Sequence, residues 1–350
     1  MKLSSEFVKK VNNKEVKKIT FENDNGYVVS FYNFGGYLHS VEIPSKKQSN
    51  DKEDVLLGYN NFFDYENDTS YLNSIVGRIC GRISNSKFKL NNKEYNLFAN
   101  DNSNHLHGGK IGFNKKVWAI RKLSEKNDSL KCVLEYFSEN MEEGYPGNLE
   151  CKTSYSLNNN NEFIIEFRAI SDEDTIVNLT NHNYWNFHGH KAKYSNITNH
   201  FVKVNANTFC EVTENYIPTG KMIDVGNSKY DFRNYKLIDH EILSKQGIDN
   251  CYSIKNYNEN INYIASVYSS YTKMGVELFS DNPGLQLYTG NMMDKIYPGK
   301  NNRKYGTQYG LCLEPQLFPD SINHANFKSP ILRTKEEYSS TIIMKLKNDF

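Results

Sequence analysis

Proline is scarce, with 8 in 350 residues, and it never clusters. No Gly/Ser-rich stretch occurs either, so nothing in the composition supplies a flexible linker. Cysteine is sparse and scattered. Cys80, Cys132, Cys151, Cys210, Cys251 and Cys312 form no CxxC pair, which excludes zinc-knuckle and thioredoxin-type motifs and points to free thiols. No apolar run approaches the roughly 20 residues of a membrane span. The opening MKLSSEFVKK is charged throughout and lacks the apolar segment of a secretory signal. A cytoplasmic location is expected on these grounds. Charge of one sign is also missing: 42 Lys plus Arg against 41 Asp plus Glu give a net charge of +1. That balance argues against nucleic-acid or membrane-surface partners.

Aromatic residues are abundant, with 25 Tyr and 20 Phe, enough to build a sizeable core. Asn makes up about one residue in seven, which lowers the mean hydropathy without implying disorder. The main local pattern is period-two alternation bounded by Asn or Gly turns, the signature of strands. Residues 88–97 read as strand, Asn91-Asn92 turn and strand. Residues 151–170 repeat this around the turn at 158–161. Similar runs cover 27–34, 130–137, 262–269, 275–279, 284–289 and 339–346. Only 60–67 and 237–246 suggest short helices. The length allows two domains at about 150 residues each, but no composition shift marks a boundary. The expectation is all-β: one large antiparallel β-sandwich domain spanning 1–350, with very little helix.

Four stretches interrupt the alternation with residues suited to chemistry. In Val76-Gly-Arg-Ile-Cys-Gly-Arg-Ile83, the apolar setting of Arg78 and Arg82 suggests that at least one guanidinium faces a cleft. A structural arginine is an equal reading. In Asn104-His-Leu-His-Gly-Gly109, His105 and His107 would share one side of a strand, a spacing known from metal sites. No carboxylate follows, so the metal reading is set aside. The run Leu179-Thr-Asn-His-Asn-Tyr-Trp-Asn-Phe-His-Gly189 combines amides, imidazole and aromatic faces, which suits a sugar ring. A satisfied core His182 is its bland alternative. Finally, Glu314 lies between an apolar run and Pro315. A carboxylate in a desolvated cleft gains the raised pKa of a general base, whereas a capped loop Glu would be structural.

Taken together, these residues resemble the aldose 1-epimerases, or galactose mutarotases. The resemblance rests on the 76–83 run, Leu106-His-Gly-Gly109, Glu142-Glu-Gly-Tyr-Pro-Gly147, Thr180-Asn-His-Asn-Tyr-Trp-Asn186, Gly247-Ile-Asp249, Gln286-Leu-Tyr-Thr-Gly-Asn291 and Leu313-Glu-Pro-Gln-Leu-Phe-Pro-Asp320. Seven stretches in order over about residues 20–345 make a specific signal. The resemblance implies the galactose mutarotase-like supersandwich and interconversion of the α and β anomers of a free aldohexose such as galactose or glucose. It implies Glu314 as catalytic base and His182 as catalytic acid. Arg82, His107, Asp249 and Gln286 would bind substrate hydroxyls, with Gly81 and Tyr184 completing the contacts. Gly81 stands where many members carry Asn, Asn250 replaces a common His, and Trp185 replaces a common Phe; these departures bear on sugar preference.

One base and one acid suffice for this chemistry, so no cofactor and no metal are expected. The partner is a small monosaccharide, and nothing requires more than a monomer or weak homodimer. The pair is expected to stabilise each other's ionised forms. Competing readings are a hexose-6-phosphate 1-epimerase, with Arg78 and Arg82 on the phosphate, and a non-catalytic sugar-binding protein on the same fold. A retaining glycosidase would need a second carboxylate and is weaker.

Overall fold

The computed structural model describes residues 1–46, 51–126, 128–190, 196–244, 246–293 and 298–350. Three large antiparallel sheets dominate. An amino-terminal sheet of five strands runs Lys2–Val11, Lys14–Glu22, Val28–Tyr32, Leu38–Pro44 and Lys52–Asp54. A nine-stranded sheet is ordered Ala119–Lys126, Ser129–Ser138, Leu149–Asn158, Glu162–Ser171, Glu337–Lys347, Gly275–Ser280, Asn262–Ser269, His200–Val204 and Lys236–Leu237. The third, here called the cleft sheet, is ordered Pro218–Asp224, Ala206–Val212, Asp249–Ile254, Gly284–Tyr288 and Cys312–Gln316. The architecture is the expected β-sandwich.

Alternation explains how the sheets meet. In Glu162–Ser171, Phe163, Ile165, Phe167 and Ala169 point inward while the residues between them face outward. One buried apolar cluster takes residues from all three sheets, including Phe21 and Phe31, Leu134 and Phe167, and Tyr252 and Leu285. Six of the expected strand runs coincide with observed strands to within about two residues. The Asn-rich turns have a physical role. Asn91 and Asn92 have φ of 51° and 61° and close the hairpin between Lys87–Leu90 and Lys93–Asn96. Among the described non-glycine residues with positive φ, 13 of 24 are Asn. More than half of these left-handed positions are thus Asn, which tolerates that backbone.

Both expected helices are shorter than their sequence pattern. One covers Phe62–Glu66 and the other His240–Leu243. Asp239 caps the second by accepting from the Ile242 N–H at 2.9 Å. Residue 245 of that expected helix lies outside the described residues. All six cysteines are buried free thiols. No helix among the described residues is long and apolar enough to cross a membrane.

Candidate active site

The cleft sheet sets side chains on its cleft-facing side in two rows. Cys251, Gln286 and Glu314 are paired across three strands, and Asp249, Tyr288 and Cys312 are paired one step away. Residues two apart share a face, so both rows face the same side. Glu314 lies on an edge strand, where the missing N–H of Pro315 is tolerated. The Pro315 carbonyl accepts from Thr180 Oγ1 at 2.9 Å. That bond brings the short strand Thr180–Asn181 against Glu314. The next residue is His182, whose N–H donates to the Ser74 carbonyl and whose carbonyl accepts from Asn73 N–H. His182 Nε2 then stands 3.7 Å from Glu314 Oε1.

A cleft of about 970 Å³, mouth included, opens over this pair. It is lined by every residue expected from the sequence: Gly81, Arg82, His107, His182, Tyr184, Asp249, Gln286 and Glu314. Gln286 Nε2 donates to Asp249 Oδ1 at 2.6 Å. Arg82 Nε donates to Asp101 Oδ2 at 2.7 Å, and its guanidinium lies 5.1 Å from the Tyr216 ring. His107 Nδ1 accepts from the Gly81 N–H at 3.2 Å, so Nε2 carries the proton and can donate to a ligand. The His182 ring stacks on Tyr184, with centroids 4.9 Å apart.

Several buried polar atoms here have no protein partner: Glu314 Oε2, His182 Nδ1, Gln286 Oε1 and Gln316 Nε2. Each unmet group costs about 1–3 kcal/mol. Their concentration on one floor marks it as built to bind a polar ligand. Burial, followed by the nearby charge of Asp249, pushes the Glu314 carboxyl well above its ordinary range. Burial lowers His182 to about 4. Burial also raises Asp249, against the pull of Arg82 and Gln286. The expectation that Glu314 and His182 stabilise each other's ionised forms therefore needs correction. Desolvation outweighs their attraction at 3.7 Å and favours the neutral forms.

This arrangement matches a known family. The family model described as Aldose 1-epimerase matches residues 17–345. The chain belongs to the aldose 1-epimerase family. It is 34% identical to human galactose mutarotase over 319 residues, covering 91% of this chain and 90% of that protein. It is 31% identical to the aldose 1-epimerase of Escherichia coli (strain K12) over 330 residues, covering 92% of each. A solved structure titled galactose 1-epimerase from Lactobacillus acidophilus superposes with a TM-score of 0.85 at 28% identity, covering 100% of this chain and 99% of that one.

Within this aldose 1-epimerase fold, some sequence expectations are redirected. Arg78 lies outside the cleft and is only 2% exposed. Its guanidinium donates to Ser138 Oγ and to the carbonyls of Ser138, Glu139, Pro146 and Gly147. It is thus structural, and of the two arginines only Arg82 lines the cleft. His105 and His107 do not share a side, because the strand ends at Leu106 and His107 turns to a φ of 51°. His105 instead donates to the Phe98 carbonyl and accepts from Tyr145 Oη. Trp185 stacks on Phe187 in the core, away from the cleft. Asn250 points to the opposite face from Asp249. Of the three family departures, only Gly81 touches the cleft.

Tyr71, Tyr216 and Gln316 also line the cleft without having been singled out. Gln316 was findable, since it lies two residues past Glu314 on the same strand. Nothing local marks the two tyrosines.

Proposed function

We propose that this cleft interconverts the α and β anomers of a free aldohexose such as galactose or glucose. The observation that carries the proposal is the buried Glu314–His182 pair, 3.7 Å apart, lining the cleft with Glu314 Oε2 and His182 Nδ1 left without a protein partner. Glu314 takes the proton of the anomeric hydroxyl while His182 donates one to the ring oxygen. The O1–H electron pair forms the C1=O1 bond, and the C1–O5 pair leaves onto the newly protonated O5. Rotation about C1–C2 presents the other carbonyl face, and closure returns both protons. Arg82, His107, Asp249 and Gln286 hold the remaining hydroxyls during that rotation, keeping the open chain near its attack geometry.

The proton count explains the pKa directions. With a closed ring, the pair is carboxylate plus imidazolium; with an open chain, it is carboxylic acid plus imidazole. Both states hold one proton between the two groups. Burial raises Glu314 and lowers His182, favouring the neutral arrangement that accompanies the open chain. Proton transfer in the ring-opening direction is thereby favoured, and the cost falls on forming the ion pair against the closed ring.

A 6-phosphate substrate fits less well. Arg78 is already saturated by backbone carbonyls. Among the described lining residues Arg82 is the only lysine or arginine, and it is paired with Asp101. Asp249 and Glu314 offer carboxyl oxygens, which supply no cation to a phosphate dianion. Polarimetry on freshly dissolved α-galactose, α-glucose and glucose 6-phosphate tests the reading. The approach to anomeric equilibrium should accelerate for the free sugars and much less for the phosphate. Calorimetric sugar binding without acceleration would instead mark a binding protein.

A further inference from the structure

Cys312 has no part in the anomer chemistry, yet its thiol lies beside the pair that does. One ligand atom from each of His182, Cys312 and Glu314 falls within 4.8 Å of the others, and all three side chains are buried. The backbone places them without strain. Cys312 and Glu314 are two apart on one edge strand and so share a face, while the Thr180–Pro315 bond sets His182 opposite. We propose that this triad is an inhibitory Zn²⁺ site at the base of the cleft, with its fourth position open to water. The inference rests on the assignment of Glu314 and His182 as the reacting pair.

Geometry supports the ion. Zn–N, Zn–O and Zn–S bonds of about 2.0–2.3 Å in a tetrahedron put neighbouring ligand atoms about 3.3–3.8 Å apart. His182 Nε2 and Glu314 Oε1 already stand at 3.7 Å. The most distant pair would close by about 1 Å, within reach of a Cys χ1 adjustment. An imidazole, a thiolate and a carboxylate form a mixed N/S/O set that suits Zn²⁺ better than Mg²⁺ or Ca²⁺. Charge supports it as well. Glu314 Oε2 is buried without a partner, and Glu314 is 2% exposed. Asp249 adds negative potential from the next row. Thiolate plus carboxylate neutralise the dication, whereas no lysine lines the described cleft to compete with it.

Zn²⁺ on this triad occupies the Glu314 oxygen that would take the anomeric proton and the His182 nitrogen that would give one. It therefore blocks turnover and competes with sugar. Chelator-treated protein should bind one Zn²⁺ per chain. With Co²⁺ in its place, a thiolate-to-metal charge-transfer absorption should appear and be lost in Cys312→Ala. Micromolar Zn²⁺ should slow mutarotation, sugar should relieve the inhibition, and a chelator should restore the rate. Cys312→Ala and Cys312→Ser should keep the metal-free rate within about twofold and require at least tenfold more Zn²⁺ for the same inhibition. Equal Zn²⁺ sensitivity in parent and both variants would overturn the site, as would a missing charge-transfer band. Because the band is read without sugar, a chain that binds Co²⁺ through Cys312 yet mutarotates nothing would break the proposed function and leave the metal site standing.

Discussion

Two buried polar clusters in this molecule use similar residue types to opposite ends. Around Arg78, donors and acceptors are matched: the guanidinium reaches four backbone carbonyls and Ser138 Oγ. Glu142 nearby accepts from Lys116 at 2.6 Å and from Tyr136 at 2.7 Å. Around Glu314, by contrast, carboxylate, imidazole and amide atoms are buried with valences unmet. Saturation converts a buried charge into scaffold, since each paired group recovers its lost hydration. Open valence is costly to the fold and is retained where a ligand supplies the partner. The two arginines of Val76–Ile83 show the contrast within four residues: Arg78 is spent on carbonyls, while Arg82 keeps part of its fork toward the cleft.

The largest effect expected from this contrast is on rate. Glu314→Gln removes the base while keeping the shape, and the catalysed rate should fall by about 10²–10⁴-fold. Stability at pH 7 should not fall, because the amide replaces a carboxyl that burial and Asp249 already disfavour as an anion. Polarimetry and thermal melts on the same preparation check both halves. Retained activity would remove Glu314 from the mechanism. A large drop in Tm would make it a structural residue like Arg78.

The mirror experiment is Arg78→Met. It leaves four carbonyls without their donor, and breaking such a saturated buried charge costs about 3–5 kcal/mol. The melting temperature should drop, while the rate and KM of the folded fraction stay near the parent values. A raised KM with an unchanged melt would place Arg78 on the ligand after all.

The sequence revealed the scaffold more readily than the cleft's walls. Strands such as Asn262–Ser269 were legible because alternation is local, and Glu314 and His182 because polar groups within apolar runs are conspicuous. The hairpin of Lys2–Val11 with Lys14–Glu22 was not legible. Its first strand is mostly exposed, so no buried face leaves an apolar period to read. Tyr71 and Tyr216 reach the cleft from loops, with φ of 55° and 59°. His107, at 51°, is the third non-glycine cleft residue held in this left-handed region. Such backbone costs about 1–3 kcal/mol for bulky residues and persists only where tertiary contacts impose it. Those contacts are non-local, which is why period-two logic failed at His105 and His107.

The smallest expected effect is on acid stability, and it separates the two kinds of buried histidine. His105 and His182 are both lowered to about 4 by burial, against roughly 6.5 in an unfolded chain. Between pH 6.5 and 4 the unfolded state therefore binds more protons, and stability falls as pH falls. For His105 this loss stands alone, because both ring nitrogens are committed to Phe98 and Tyr145. For His182 it is opposed by Glu314 and Asp249. Their folded pKa values are raised, so the folded state takes up protons there, and acidification relieves their repulsion. In chelator-treated protein, His105→Asn and His182→Gln should each flatten the decline of Tm from pH 6.5 to 4, whereas Glu314→Gln, which removes a group that takes up a proton in the folded state, should steepen it. If Glu314→Gln leaves the slope unchanged, the cleft carboxyl does not offset the imidazole, and the saturated and open clusters respond to acid in the same way.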